Sequence, residues 1–277
     1  MIDWSRPWYD AVRDAWEAVD RLPAQPGAAD HFRDGFSRQA AALGLRNHLG
    51  LPVQFVPQEA LPDGTAYEQF IGATGGVPTR DNLHDFFNGL VWLSFPQIKV
   101  QLNALQAAQI ARDGVGKSRG PARDGATIFD ENAALLVARD DAEGHALVAA
   151  LRAHRWHEAF IERRASFGVA GGAEVWLFGH ALMEKLVAPR KAMTAHTRVV
   201  WADAAFFTRD HAGRRAWIDA RVAQELAQQG LSTADFTPMQ VLGVPGWWPQ
   251  QDAAFYGDTT VFRPRRGDGG TLVAISR

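Results

Sequence analysis

Cysteine is absent from all 277 residues. Disulfides, thiolate metal sites, cysteine nucleophiles and iron–sulfur clusters are therefore excluded. An excess of either charge is missing too: 29 Lys and Arg stand against 31 Asp and Glu, for a formal net charge of −2. Such a balance exerts no general pull on nucleic acid or anionic membrane, so neither is indicated as a partner. No run of ~20 apolar residues occurs, so no membrane span is expected. The first residues, MIDWSRPWYDAVRDAW, are charged and aromatic, with no apolar run or cleavage signal. The expected location is the cytoplasm. A Gly-x-Ser-x-Gly elbow is also lacking, and nothing around Ser94 or Ser118 reads as a triad. Nucleophilic serine catalysis is set aside.

What is present is a chain able to build its own core. Surface scaling gives about 12,000 Å² folded against about 44,000 Å² unfolded, so no covalent staple is required. Ten tryptophans supply apolar bulk for cores or ligand walls. The organising stretch is TRDNLHDFFNGLVWLSFPQIKVQLNALQAAQIAR, from Thr79 to Arg112. It predicts two helices, over 82–93 and 96–111, broken before Pro96, a residue suited to a first helical turn. Leu83, Phe86, Phe87, Leu90, Val91 and Leu93 cover more than one face of the first, the pattern of a helix buried on several sides. His84 and Asn88 share one stripe of it. Lys99 and Asn103 share a polar stripe on the second, beside Ile98, Leu102 and Leu105. A buried unpaired Lys99 would be costly, so it meets a carboxylate, an anionic ligand or water.

Elsewhere, residues 3–22 and 28–44 predict helices that can pack as a subsidiary layer on the rest of a single domain spanning 1–277. Short strands are expected at 51–56, 173–178 and 197–201. ATIFDENAALLVARDD reads as a hairpin, with strands at 127–129 and 134–138 and Asp130, Glu131 and Asn132 in its turn. Residues 141–166 and 210–229 read as helical, with His154 and His157 on the surface. DGVGKSRGPARDG contains Gly-x-Gly-Lys-Ser but lacks the first glycine and the preceding strand of a phosphate loop. The C-terminal stretch LGVPGWWPQQDAAFYGDTTVFRPRR is rich in Pro, Gly and aromatics and is expected to wrap the core irregularly, anchored by Trp247 or Trp248. The expected class is α+β: a helix-rich single domain with a small sheet and an irregular aromatic tail.

Several stretches together resemble one bacterial family, the domain of unknown function 3025. They are AYEQFIGATGGVPTRDNLHDFFNGLVWLSFPQIKVQLN, SRGPARDGATIFDENAALL, FGHALMEKLVAP and VLGVPGWWPQQDAAFYGDTTVFRP. The resemblance implies that these distant segments belong to one domain. It carries no activity to transfer.

Two constellations bear on chemistry. His84, Asp85, His180 and Glu184 offer nitrogen and oxygen ligands for a divalent metal, with His180 and Glu184 one helical turn apart. Lys117, Arg119 and Arg123 follow the Lys99/Asn103 helix in a glycine-rich segment, and arginine forks match phosphate or carboxylate oxygens. Asp130 and Glu131 can pair with those arginines or add oxygen ligands. Two functional readings stand. One is a hydrolase of a phosphate- or carboxylate-bearing small molecule. In it His84, Asp85, Lys99 and His180 are catalytic, and Asn88, Asn103, Arg119, Arg123, Asp130 and Glu131 bind the ligand. The other is a non-catalytic protein that binds an anion or a protein partner.

Overall fold

A computed structural model describes residues 2–22, 31–114 and 121–265. After a 3-10 turn at Pro7–Tyr9, the first helices are α1 (Asp10–Asp20) and α2 (His31–Ala42). Their Trp8, Val12, Val19 and Phe36 are buried in the same core as the rest of the chain. The predicted first helix thus starts later than residue 3, at the turn that Pro7 opens. β1 (Gln54–Pro57), α3 (Tyr67–Thr74) and β2 (Gly76–Thr79) follow, with β1 and β2 paired in parallel.

The central pair is α4 (Leu83–Ser94) and α5 (Pro96–Asp113), as the apolar pattern and Pro96 predict. Phe87, Leu90, Val91 and Phe95 are wholly buried. The start of α5 is held from a distance. Phe95 offers no side-chain cap. Asp219 instead accepts from the N–H groups of Gln97 and Ile98 at 3.0 and 2.9 Å. Asp219 lies on α9 (His211–Gln229), which packs along α5.

The expected hairpin at 127–138 is not formed. Pro121–Asn132 is a helix, α6, and it runs directly into β3 (Ala133–Arg139). Ala126 and Phe129 are buried at helical spacing. Packing of that face overrides the strand preference of Thr127 to Phe129 and the turn preference of Asp130 and Asn132. α7 (Ala142–Arg152), β4 (Ala173–Leu177), α8 (His180–Lys185), β5 (Thr194–Ala202) and β6 (Thr237–Gln240) complete the scaffold. The main sheet has the order β4-β3-β5-β6, with β3 and β5 parallel and both outer pairs antiparallel. The fold is helix-rich α+β.

The C-terminal stretch is largely irregular, as expected. It contains a short helix, α10 (Ala253–Tyr256), and buries Phe255, Tyr256 and Phe262. Trp247 and Trp248 rest half-buried against the core. His157 is exposed as expected. His154 is half-buried, a departure from the surface placement read in the sequence. No described helix is long and apolar enough to cross a membrane.

Candidate metal centre

Asn82 begins the site by capping α4: its side chain accepts from the Asp85 N–H at 2.7 Å. This sets His84 in the first turn of the helix. The second histidine arrives by a different route. β4 ends at Leu177, and the N–H groups of Phe178 and Gly179 both donate to the Ala133 carbonyl. His180 then opens α8. Only glycine allows this approach. A Cβ at residue 179 would stand 2.5 Å from Ala133 N and Glu131 O and 2.6 Å from Asn132 N. Gly179 therefore seats α8 against the α6–β3 junction, which carries Asp130 and Glu131.

The two imidazoles meet edge to face, with ring centroids 4.5 Å apart at 76°. Nε2 of His84 faces Nε2 of His180 at 3.0 Å. Each remaining ring nitrogen points at a carboxylate. His84 Nδ1 lies 3.1 Å from Glu184 Oε2, and His180 Nδ1 lies 3.8 Å from Asp130 Oδ2. Ligand atoms of His84, Glu131 and His180 all fall within 4.8 Å of one another.

No pair of neutral tautomers satisfies this arrangement. A carboxylate only accepts, so the proton of a neutral His84 belongs on Nδ1, leaving a lone pair on Nε2. If His180 donates from Nε2, its own Nδ1 lone pair faces Asp130, buried and without a hydrogen bond. If His180 carries its proton on Nδ1, two lone pairs oppose each other at 3.0 Å. One positive charge between the Nε2 atoms removes the conflict, either a shared proton or a metal ion. Two nitrogens about 2.0–2.1 Å from a tetrahedral zinc are about 3.3 Å apart, so the observed spacing needs little adjustment. The Glu184 carboxylate behind His84 matches the usual outer support of metal-bound imidazole, whereas Asp130, 3.8 Å from His180 Nδ1, is not hydrogen-bonded to it. Burial, against the pull of Asp130, pushes the His180 imidazole down to about 4, which keeps it neutral and able to ligate near neutral pH.

Behind Asp130 lies a closed polar chain. Lys99 Nζ donates to Asp130 Oδ1 at 2.5 Å and to Asn88 Oδ1 at 2.9 Å, and it lies 5.4 Å from the Trp92 ring centroid. Asn88 donates in turn to the Tyr67 hydroxyl at 3.1 Å. Burial opposes ionisation of Asp130, but Lys99, His180 and His84 overcome it and hold the carboxyl below its usual range. Asn103 donates to Glu68 Oε2 at 2.6 Å. Burial, with the charge of Asp130, holds the Glu68 carboxyl above its ordinary range.

The sequence-predicted residues thus divide. His84, His180, Glu184, Asp130, Glu131, Lys99 and Asn88 form one continuous cluster, with Asn103 beside it. Asp85 turns away. It is buried, and its carboxylate accepts from the Arg80 backbone N–H at 2.7 Å and from the Arg80 guanidinium at 2.9 and 3.2 Å. Glu131, rather than Asp85, is the carboxylate grouped with both histidines within 4.8 Å, and Glu184 lies 3.1 Å from His84 Nδ1. Lys117 and Arg119 lie outside the described residues. Arg123 sits in the first turn of α6, with a side chain outside the description; seven residues of helix put its Cα about 10 Å from that of Asp130. Tyr67, Glu68, Arg80 and Gly179 carry structural weight that no sequence pattern marks.

A family model described as Protein of unknown function (DUF3025) matches residues 53–266, more than half of the chain. The chain belongs to the DUF3025 family. The match takes in His84, Asp130, Glu131, His180 and Glu184, so the whole centre lies inside the DUF3025 region. No curated protein and no solved structure matches.

Proposed function

We propose that the protein is a metal-dependent hydrolase of a small anionic substrate, with His84, His180 and Glu131 holding one divalent ion. The observation that supports it is the pair of Nε2 atoms facing each other at 3.0 Å, with a Glu131 ligand atom within 4.8 Å and Glu184 hydrogen-bonded behind His84. Two imidazoles and one carboxylate suit zinc, manganese or iron(II), and leave coordination positions for water and substrate. A divalent ion there supplies Lewis acidity and makes bound water a nucleophile near neutral pH, the usual basis of metal-assisted hydrolysis. The side chains of His84 and Glu184 are 32% and 38% exposed, so a substrate can reach this edge of the centre. His180 and Asp130 are shielded and hold it from within. Lys99 has a positioning role in this reading. Its charge is spent on Asp130, and at 4% exposure it does not reach an incoming anion.

The alternative is a non-catalytic protein whose polar network serves only the fold. The complete pairing of Lys99 with Asp130 and Asn88 favours it. Calorimetric titration of chelator-treated protein with Zn²⁺ and Mn²⁺ separates the two. The metal reading requires one ion per chain, and loss of binding in His84→Ala and Glu131→Gln variants that stay folded. Turnover of chromogenic phosphate and carboxylate esters, with and without added metal, then tests hydrolysis. Absence of stoichiometric binding sinks the metal reading. Binding without turnover of any ester sinks the hydrolase reading.

A further inference from the structure

A second region, built on other elements, holds two guanidinium groups that form no ion pair among the described residues. At the end of α7, against the β5–β6 edge, is a cavity of about 670 Å³. Arg152, His154, Arg198, Asp235, Phe236 and Arg265 contribute to its lining. Pairing between β5 and β6 ends at Thr197 and Thr237, so the outer edge of β5 from Arg198 onward has no strand beside it among the described residues. Arg198 is a fixed charge: it is 7% exposed and tied to Glu225 at 3.2 Å and Asp235 at 3.8 Å. Arg152 and Arg265 differ. Among the described residues neither forms an ion pair.

An independent observation is the backbone of His154. The N–H of His154 donates to Leu151 O at 3.0 Å, and that of Arg155 donates to Ala150 O at 2.9 Å. These two bonds are the glycine-type ending of a helix, with the left-handed position at residue 154. His154 holds φ 55° there. A side chain at such a position costs about 1–2 kcal/mol, which is why glycine usually occupies it. The His154 ring instead stacks on Trp156, with centroids 4.9 Å apart, and lines the cavity. Strain retained at a side chain that faces a cavity serves binding better than it serves the fold.

We propose that this cavity binds a small organic phosphate, gripped by Arg152, Arg265 and His154, while Arg198 keeps the Asp235 carboxylate of the lining paired. Two unmatched guanidinium charges suit a phosphate dianion better than a monocarboxylate, and guanidinium forks grip its oxygens in pairs. The volume suits a metabolite rather than a bare ion, and Phe236 and Val199 offer an apolar wall for its organic part. The site does not rest on the metal centre, and its failure would leave that reading untouched.

The experiment is calorimetric titration of the chelator-treated full chain with inorganic phosphate, phenyl phosphate and benzoate at constant ionic strength. Phenyl phosphate should bind saturably, tighter than inorganic phosphate and far tighter than benzoate. Arg152→Gln and Arg265→Gln should each weaken it about tenfold, the loss expected for one charge-assisted contact. His154→Gly is the decisive variant. It should melt at or above the parent temperature and still bind more weakly. The proposal is overturned by the absence of saturable binding up to ~10 mM, or by benzoate binding as tightly as phenyl phosphate. Unchanged affinity in an Arg152→Gln/Arg265→Gln double variant, or in His154→Gly, overturns it equally.

Discussion

Lys99 and Arg152 are cations on two helices of one chain, in opposite surroundings. Lys99 is 4% exposed and enclosed by Asp130, Asn88 and the Trp92 ring. Arg152 is exposed at the end of α7 and lines a cavity whose described carboxylate, Asp235, lies beside Arg198 instead. The histidines beside them differ in the same way. His180 is buried among Asp130, His84 and Glu131, and its backbone is unstrained. His154 has a strained backbone and one face on open volume. In the first region the chain answers its own charges, so each group is costly to remove. In the second, Arg152 and Arg265 have no ion pair among the described residues, so their removal should leave the fold intact and, under the proposal above, cost binding.

The largest effect should come from splitting the Lys99–Asp130 pair. Lys99→Met leaves a buried carboxylate without its cation and should cost about 3–5 kcal/mol in urea denaturation. A Lys99→Met/Asp130→Leu double variant should recover most of that loss. A single-variant cost below about 1 kcal/mol would erase the distinction drawn between the regions. Next in size is Gly179→Ala, where the added methyl would press on the backbone of Glu131, Asn132 and Ala133. It should cost about 3 kcal/mol and displace His180, so metal affinity should fall with stability. Stability without loss of metal affinity would show that the close approach of α8 does not set the site.

A middle-sized effect concerns Asp219, which fixes the start of the Lys99 helix. Burial raises its carboxyl to about 6, partly offset by the Ile98 and Gln97 N–H groups. The folded state then holds this proton more tightly than the unfolded chain, whose carboxyl titrates near the ordinary value of about 3.9. Its contribution to stability is greatest below pH ~4 and is lost as pH rises to ~6, for a change of about 2–3 kcal/mol. Asp219→Asn should flatten that part of the stability–pH curve; an unchanged slope would assign it to other groups. Smallest is Arg152→Ala, which should shift stability by no more than about 0.5 kcal/mol, as expected of an exposed side chain without a partner. A cost near that of Lys99→Met would show that the arginine belongs to the fold after all.

Much of the scaffold was legible in the residues. Apolar coverage around Phe86, Phe87, Leu90 and Val91, with Pro96 at a first turn, marked both central helices. The i,i+4 spacing of His180 and Glu184 placed them together on α8. The resemblance to domain of unknown function 3025 was legible too, from segments spread along the chain. α6 was not. Thr-Ile-Phe favours strand and Asp-Glu-Asn favours turn, and only the burial of Ala126 and Phe129 against the rest of the core outweighs them. With α6 misread, Asp130 and Glu131 were placed in a turn, and their approach to His180 through the α6–β3 junction was not visible. The strain at His154 was equally invisible, because a left-handed helix ending normally announces itself by glycine.

The sequence by itself determined the absence of cysteine chemistry, the balanced charge, the amphipathic and all-round apolar helices and the family. These are properties of composition and of neighbours within one or two turns, where side-chain periodicity and steric limits act directly. Tertiary structure alone decided that His84 and His180, 96 positions apart, would face each other. It also decided that Asp219 would cap a helix from α9, and that Lys99 would be neutralised while Arg152 was left open. Such pairings depend on which helix faces pack together and on a glycine that lets two backbones touch. No local pattern carries that information, because the energy that selects it comes from burying the whole core at once.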